Sequence, residues 1–158
     1  NLNGPWTVNF NASQRGPEEP VVFETLQDWT ASKDDRIKYY SGTAYYTIKF
    51  KLDKLPANEK IIINLGNFTA MVKVTLNKIY AGGLWTAPCQ LDITKLIKVG
   101  ENELKIEVVN TWMNRLIGDS KLPIGQRPTW CPVNPYKPES PLQPSGLFGP
   151  VKVLGVAY

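Results

Sequence analysis

Short stretches of alternating apolar and polar residues run through this chain with the two-residue period of a β-strand. Apolar side chains at every second position would face a core, while the polar ones between them would face water. Helical periodicity is nearly absent, and residues 91–96 allow at most one turn. The predicted strands cover residues 6–10, 46–52, 60–65, 71–76, 104–109 and 151–154. This pattern predicts an all-β fold, a two-sheet antiparallel β-sandwich or jelly roll.

The turns between these strands carry residues with clear local roles. Asn77-Lys78 predicts a tight turn into the next strand. Asp92 and Thr94 can cap a single helical turn, and Gly100 can end it in a left-handed conformation. Asn102 can bridge the following turn before the strand resumes. These roles are structural and need no ligand.

Two irregular segments interrupt the strands, residues 11–41 and residues 111–148. The second segment holds most of the prolines, and such a long excursion inside a compact domain indicates function or packing on a neighbour. Trp130 and Tyr136 lie there and are candidates to cover a partner domain. With no repeat and no internal boundary, we expect residues 1–158 to form one domain.

Composition excludes several classes of protein. The 158 residues are 42% hydrophobic and 20% charged, which is typical of a globular protein. The net charge of +4 is mild, and no apolar run approaches the roughly 20 residues of a membrane span. The lysines alternate along predicted strands as on a solvated sheet face, so we expect neither nucleic-acid binding nor membrane insertion. Examples are Lys49, Lys51, Lys73 and Lys105.

Catalytic and metal chemistry is limited by the absence of histidine from the sequence. A Ser-His-Asp triad, a Cys-His pair and a histidine-ligated zinc are therefore excluded within the chain. Cys89 and Cys131 fit no CxxC pattern and form either one disulfide or two separate thiols, of which we favour free thiols. No cofactor is predicted. Loops of such a sandwich can gather carboxylates and carbonyls around a structural calcium, but no DxDxDG-like spacing supports one here.

Residues 73–110, read together with the Tyr-rich strand after Gly42, resemble the sugar-binding, galactose-binding-like jelly-roll domain of family 2 glycoside hydrolases and rhamnosidase-like enzymes. Lys78 stands where that family often has glycine. The likeness extends over about residues 4–157. The motifs that carry it are Ser41–Tyr46, Asn64–Gly66, Leu76–Lys78, Asp92–Thr94, Gly100–Leu104, Asn110–Asp119 and Ser145–Val151.

The resemblance implies a domain that accompanies a catalytic domain and does not itself perform the chemistry. The parent would be a glycoside hydrolase that degrades a plant or host polysaccharide and is exported to the periplasm, cell surface or medium. Asn1 begins directly on a predicted folded element with no signal peptide, so we expect a processed or excised segment. Its partners would be carbohydrate and the parent's catalytic domain.

A candidate sugar site follows the strand that ends near residue 109. Aromatic faces stack on the apolar side of a pyranose, and amide, guanidinium and carboxylate groups bind paired hydroxyls. The alternative is internal: Arg115 and Asp119 pair to hold a loop, and Trp112 plugs the end of the sandwich. The candidate residues are Trp85, Asn110, Trp112, Asn114, Arg115 and Asp119.

Independent catalysis is not indicated, because a glycosidase needs two carboxylates about 5 to 10 Å apart, one with a raised pKa. No such pair stands out among Asp28, Asp34, Asp35, Asp119 and Glu139. Three hypotheses remain. The chain is a sugar-contacting accessory domain with an exposed 112–119 cluster, a structural domain whose cluster is internally satisfied and whose residues 120–148 contact the partner, or a free-standing lectin-like module.

Overall fold

The computed structural model describes residues 1–157 as a sandwich of antiparallel β-sheets, which confirms the predicted fold class. Every predicted strand is present, and three of the six are extended by a few residues. The strands are β1 (Trp6–Phe10), β2 (Val21–Phe23), β3 (Thr43–Leu52), β4 (Glu59–Asn64), β5 (Asn67–Phe68), β6 (Met71–Leu76), β7 (Ile79–Leu84), β8 (Gln90–Asp92), β9 (Gly100–Val109), β10 (Leu147–Gly149) and β11 (Lys152–Ala157).

One layer is a six-stranded sheet with the order β2-β1-β3-β9-β6-β7. Its centre is the ten-residue pairing of β3 with β9, which sets Tyr46 opposite Ile106 and Ile48 opposite Leu104. β6 continues the same row, since Val74 lies opposite Ile106. The apolar positions of three strands therefore share one face of the sheet, as their alternation predicted.

The second layer is built on a bent antiparallel ribbon. β4 pairs with β11, and β5 pairs with β10 beyond a bend, while β8 adds to the other side of β4. At the bend Gly66 and Gly149 have φ of 64° and 68°. A Cβ on Gly66 would come within 2.2 Å of the Gly149 carbonyl oxygen. Only glycine fits this close approach of two backbones.

The core lies between the layers and extends beneath the segment 11–41. Trp29, from that irregular segment, is fully buried. Its ring contacts Phe10 and Tyr40 edge-on, with centroids 5.2 and 5.6 Å apart. Its indole Nε1 donates a hydrogen bond of 2.6 Å to the hydroxyl of Tyr46. The long insertion is therefore attached to the core by aromatic packing.

The predicted turn chemistry is confirmed. Asn77 and Lys78 both have positive φ, 52° and 68°, as a two-residue type I′ hairpin requires. The carboxylate of Asp92 accepts from the backbone N–H of Thr94 at 3.0 Å. Asn102 is fully buried and bridges the turn, donating to the Lys98 carbonyl at 2.7 Å and accepting from the Lys98 N–H at 3.1 Å.

Two helices depart from the sequence prediction, which allowed at most one helical turn, near residue 96. The short α1 (Asp35–Lys38) is capped by Asp34, whose side chain accepts from the Arg36 N–H. The longer α2 (Met113–Ser120) forms where a loop was predicted and has no side-chain cap at its first turn. Tertiary contacts of its buried side chains stabilise it instead, because isolated helices of this length are marginal in water.

Candidate functional site

Asn110 and Asn114 lie in a buried polar cluster around Ser145, where β9 gives way to α2. The Asn110 side chain accepts from the Gly42 N–H at 2.9 Å and donates to the Tyr40 carbonyl at 2.8 Å. The Asn114 amide donates to the Ser145 hydroxyl at 3.0 Å. Both amides are thus hydrogen-bonded within the chain and join four separate segments.

Asp119 pairs with a different arginine from the one that the internal alternative proposed. Nη1 of Arg15 lies 3.6 Å from Oδ1 of Asp119, and Oδ2 accepts from the Thr129 N–H at 3.0 Å. Arg115 instead donates from Nη2 to the Gln14 carbonyl at 3.1 Å. The proposed Arg115–Asp119 ion pair is therefore corrected to Arg15–Asp119, an unpredicted contact across more than a hundred residues.

Burial and the neighbouring Arg15 charge lower the pKa of Arg115, while Asp119 and Tyr40 act in the opposite direction. The guanidinium nevertheless stays charged, because arginine is protonated throughout the physiological range. Asp119 pairs with Arg15 and acts on Arg115 only at longer range, so two cations face one carboxylate beside α2. The site carries an excess of positive charge.

The two candidate tryptophans are exposed, Trp85 by 73% and Trp112 by 64%. The alternative in which Trp112 plugs the sandwich end is therefore wrong. Sheet register brings the two residues to one end of the large sheet, because Met71 lies opposite Val109 and Val72 lies opposite Leu84. Trp85 follows Leu84, Trp112 lies three residues after Val109, and the exposed Met71 begins the strand between them. Sequence spacing alone could not show this proximity.

Residues 121–144, here called the proline-rich segment, run along the surface without strands. Several apolar side chains point outward, including Ile124 (83% exposed) and Trp130 (86% exposed). The backbone is nonetheless fastened: the Asn134 amide donates to the Leu116 carbonyl at 3.0 Å. An ordered segment that displays large apolar side chains is typical of a contact surface.

Asp28 and Asp34, two of the candidate carboxylates, have structural roles. Asp28 accepts from the Thr30 and Ser145 N–H groups at 2.9 and 3.0 Å. Asp34 forms a bidentate pair with Arg36, and this hydrogen bonding lowers the pKa of the carboxyl. Among residues 1–157, no three side chains of histidine, cysteine, aspartate or glutamate gather as a metal site would require.

Cys89 and Cys131 are both free and half-buried, in agreement with the favoured alternative. The Cys131 thiol donates to the Val133 carbonyl at 3.1 Å. Within residues 1–157, no helix is long and apolar enough to cross a membrane.

Comparison with known proteins confirms the resemblance to a glycoside hydrolase domain, although no family model matches the chain. A protein of Formosa agariphila named "Putative beta-glucuronidase" is 38% identical over 96% of this chain, which spans only 15% of that protein. The structure of a rhamnosidase from Novosphingobium sp. PP1Y is 37% identical with a TM-score of 0.88, over 96% of this chain and 14% of the rhamnosidase. The chain thus corresponds to one small accessory domain of these larger proteins.

A more distant likeness concerns the fold alone. The β-glucuronidase of Ruminococcus gnavus matches 69% of this chain and 21% of its own with a TM-score of 0.58, at 21% identity. The jelly-roll sandwich is therefore shared with proteins whose sequences have largely diverged. The sugar contacts predicted for Asn110, Asn114, Arg115 and Asp119 stay predictions, and these side chains are buried in the chain described here.

Proposed function

We propose that the chain is a non-catalytic accessory sandwich of a multidomain glycoside hydrolase, and that it docks on a neighbouring domain of the same protein through the proline-rich segment. The observation that carries this proposal is the outward display of Ile124 and Trp130 on a fastened backbone. Interfaces between domains are enriched in such large apolar and aromatic side chains. The buried, internally bonded Asn110 and Asn114 support the same view, because a purely structural cluster would have these features.

The fastening of the segment supports docking through a physical argument. Ordering an irregular backbone costs about 1–2 kcal/mol per residue in conformational entropy. Hydrogen bonds between this segment and Asp119, Asn114 and Leu116 offset part of that cost, yet they leave its large apolar side chains in water. A partner surface that covers these side chains would supply the missing hydrophobic burial.

Non-catalytic function is supported by the roles of the carboxylates. Asp28, Asp34 and Asp119 each accept hydrogen bonds that hold the fold, and Asp34 has a lowered pKa rather than the raised one of a general acid. The chemistry would then belong to another domain of the parent. From the names of its relatives, we infer a parent that acts on a rhamnoside or a glucuronide. We propose that this parent is exported, as the degradation of an external polysaccharide would require.

Docking can be tested by placing a charge on the proposed surface. Ile124→Asp should leave the melting temperature of the 158-residue chain nearly unchanged, because the side chain is already exposed. In the natural full-length protein it should lower the temperature at which this domain unfolds, since a carboxylate would be buried at the interface. Ile79→Asp, an exposed isoleucine on the edge strand β7, is the matched control. An equal response to both substitutions in the full-length protein would refute the docking proposal.

A second candidate function is weak sugar binding at the end of the sheet where Trp85 and Trp112 lie. Their exposure and shared location favour it, because indole faces stack on pyranose rings. Titration of the chain with mono- and polysaccharides should quench tryptophan fluorescence, and Trp85→Ala or Trp112→Ala should abolish the saturable part. Trp130→Ala is the control. No saturable signal down to millimolar affinity would eliminate this candidate and the lectin-like alternative with it.

A further inference from the structure

A cleft of about 370 Å³ opens between α1 and α2, and its walls carry an unusual concentration of basic side chains. Two carboxylates, Asp35 and Asp119, also face it, so basic groups outnumber acidic ones by four to two. Leu122 and Pro128 lie at its border with the proline-rich segment. The basic groups are Arg15, Arg36, Arg115 and Lys121.

Arg115 is the residue of the cleft that most clearly indicates a ligand. It is only 8% exposed, so burial has removed most of its hydration. A guanidinium offers five N–H donors, yet within residues 1–157 Arg115 makes one hydrogen bond, to the Gln14 carbonyl. No carboxylate of the described residues lies within ion-pair distance of it. The unused donors of Arg115 are not sealed from water, because Nη1 of Arg15 is the one side-chain nitrogen of residues 1–157 that is buried without a partner. A ligand in the cleft can therefore reach them.

Arg15 has a buried donor without a partner in the same place. Its Nη2 donates to the Thr129 hydroxyl at 2.8 Å, but its Nη1 is buried without a hydrogen-bond partner in the described structure. Nη1 lies 3.6 Å from Asp119, which is too long for a hydrogen bond. The carboxylate of Asp119 thus faces two guanidinium groups and does not pair all the hydrogen-bond donors of either.

The other two basic groups do not remove the excess of charge. Arg36 is occupied by its bidentate pair with Asp34. Lys121 lies 4.8 Å from the centre of the Tyr39 ring and donates to its hydroxyl, and no carboxylate of residues 1–157 forms an ion pair with it. The Lys121 ammonium group therefore adds positive potential at the rim of the cleft.

We propose that this cleft binds the carboxylate of an acidic sugar, with Arg115 as the central donor and Lys121 at the rim. An oxyanion accepts paired N–H donors of a guanidinium in the plane of the fork, which suits the unused donors of Arg115. The cleft has room for more than a bare ion, and a sugar there would border the docking surface. The proposal rests on the accessory role in a glycoside hydrolase and extends it to the class of ligand.

Calorimetric titration of the 158-residue chain tests this assignment. The ligands are sodium D-glucuronate, sodium sulfate and D-glucose, at constant ionic strength because screening alters such contacts. Glucuronate should bind saturably and glucose should not. Arg115→Gln should weaken glucuronate binding by about tenfold or more, the loss expected for one charge-assisted bond. Lys121→Gln should weaken it severalfold, while Lys49→Gln, an exposed lysine on β3, should leave it unchanged.

Circular dichroism must show that each variant is folded. If Arg115→Gln does not fold, the comparison of Lys121→Gln with Lys49→Gln still tests the proposal, because Lys121 is exposed. Absence of saturable glucuronate binding, or equal weakening by both lysine variants, would overturn the proposal. Binding of sulfate without glucuronate would reveal an inorganic anion site and overturn the assignment to a sugar. Docking is measured separately, with the Ile124→Asp variant. A failure of one proposal can therefore be distinguished from a failure of the other.

Discussion

Asn114 pairs with the backbone of Gln143 as one strand pairs with another. Its Nδ2 donates to the Gln143 carbonyl at 2.7 Å, and its Oδ1 accepts from the Gln143 N–H at 2.8 Å. Twenty-nine residues separate the two positions, so this reciprocal contact holds the end of the proline-rich segment against α2. A planar amide is the side chain that can both donate and accept in one plane.

Asn114→Ala should therefore destabilise the chain by about 1–3 kcal/mol, because the substitution removes both bonds and leaves backbone groups without a partner. The expected result is a lower urea midpoint with no ligand present. Asn67→Ala serves as a control, since Asn67 is exposed and no side-chain hydrogen bond is recorded for it among residues 1–157. A midpoint unchanged by Asn114→Ala, combined with loss of sugar binding, would return this residue to a ligand-contact role.

Alternation could predict the sheet because one face of each strand is buried and the other is wet. Tyr46, Ile48 and Leu104 alternate with polar residues, and the structure buries each of them. Helix α2 gave no such signal. It is short, it ends in Gly118, Asp119 and Ser120, which are weak helix formers, and its stability comes from contacts with distant segments. The burial of Trp29 could not be predicted from the sequence either, because its partners lie elsewhere in the chain.

Tyr46→Phe should destabilise the chain by about 1–3 kcal/mol, although it deletes a single oxygen atom. The hydroxyl of Tyr46 accepts from the indole N–H of Trp29 at 2.6 Å in the core, and without it that donor is buried and unpaired. Tyr45→Phe is the matched control, because the half-buried ring of Tyr45 would keep its contact with Lys105. Similar urea midpoints for the two variants would contradict the importance of the Trp29–Tyr46 bond.

Stability should fall as the pH rises above about 10, the ordinary pKa of tyrosine in an unfolded chain. Burial raises the pKa of both Tyr46 and Tyr40 above this value. Between the unfolded and folded pKa the unfolded chain releases a proton that the folded chain retains, so alkali favours unfolding. Each such group contributes up to about 1.4 kcal/mol per pH unit there.

The measurement compares urea midpoints of the natural chain and of Tyr46→Phe from pH 8 to 11. Every other group that responds to pH in this range is present in both proteins, so its effect is common to both. The difference in stability between the two should therefore shrink above pH 10. A constant difference across the whole range would mean that the Tyr46 hydroxyl ionises as readily in the folded chain as in the unfolded one.

Much of the candidate site depends on pairings that sequence order does not reveal. The sequence placed aromatic, amide and charged residues between 110 and 119, and the structure brings all of them to one end of the sandwich. It could not show that Asn110 and Asn114 turn inward while Trp112 turns outward, because α2 was unforeseen. Arg15 was missed altogether, since only the folded chain brings it to Asp119.

Lys78→Gly should stabilise the chain by about 0.5–1 kcal/mol. A lysine at φ 68° bears the steric cost of a left-handed conformation that glycine avoids, and this gain exceeds the extra freedom of glycine in the unfolded chain. Asn77→Gly, one residue earlier in the same hairpin, should have the opposite effect. Asn77 donates to the Leu96 carbonyl at 2.9 Å and to the Asn102 side chain at 2.8 Å, and glycine would lose both bonds. In thermal unfolding, the melting temperature of the natural chain should therefore lie between those of the two variants. A lower melting temperature for Lys78→Gly would show that the lysine side chain contributes more than its backbone conformation costs.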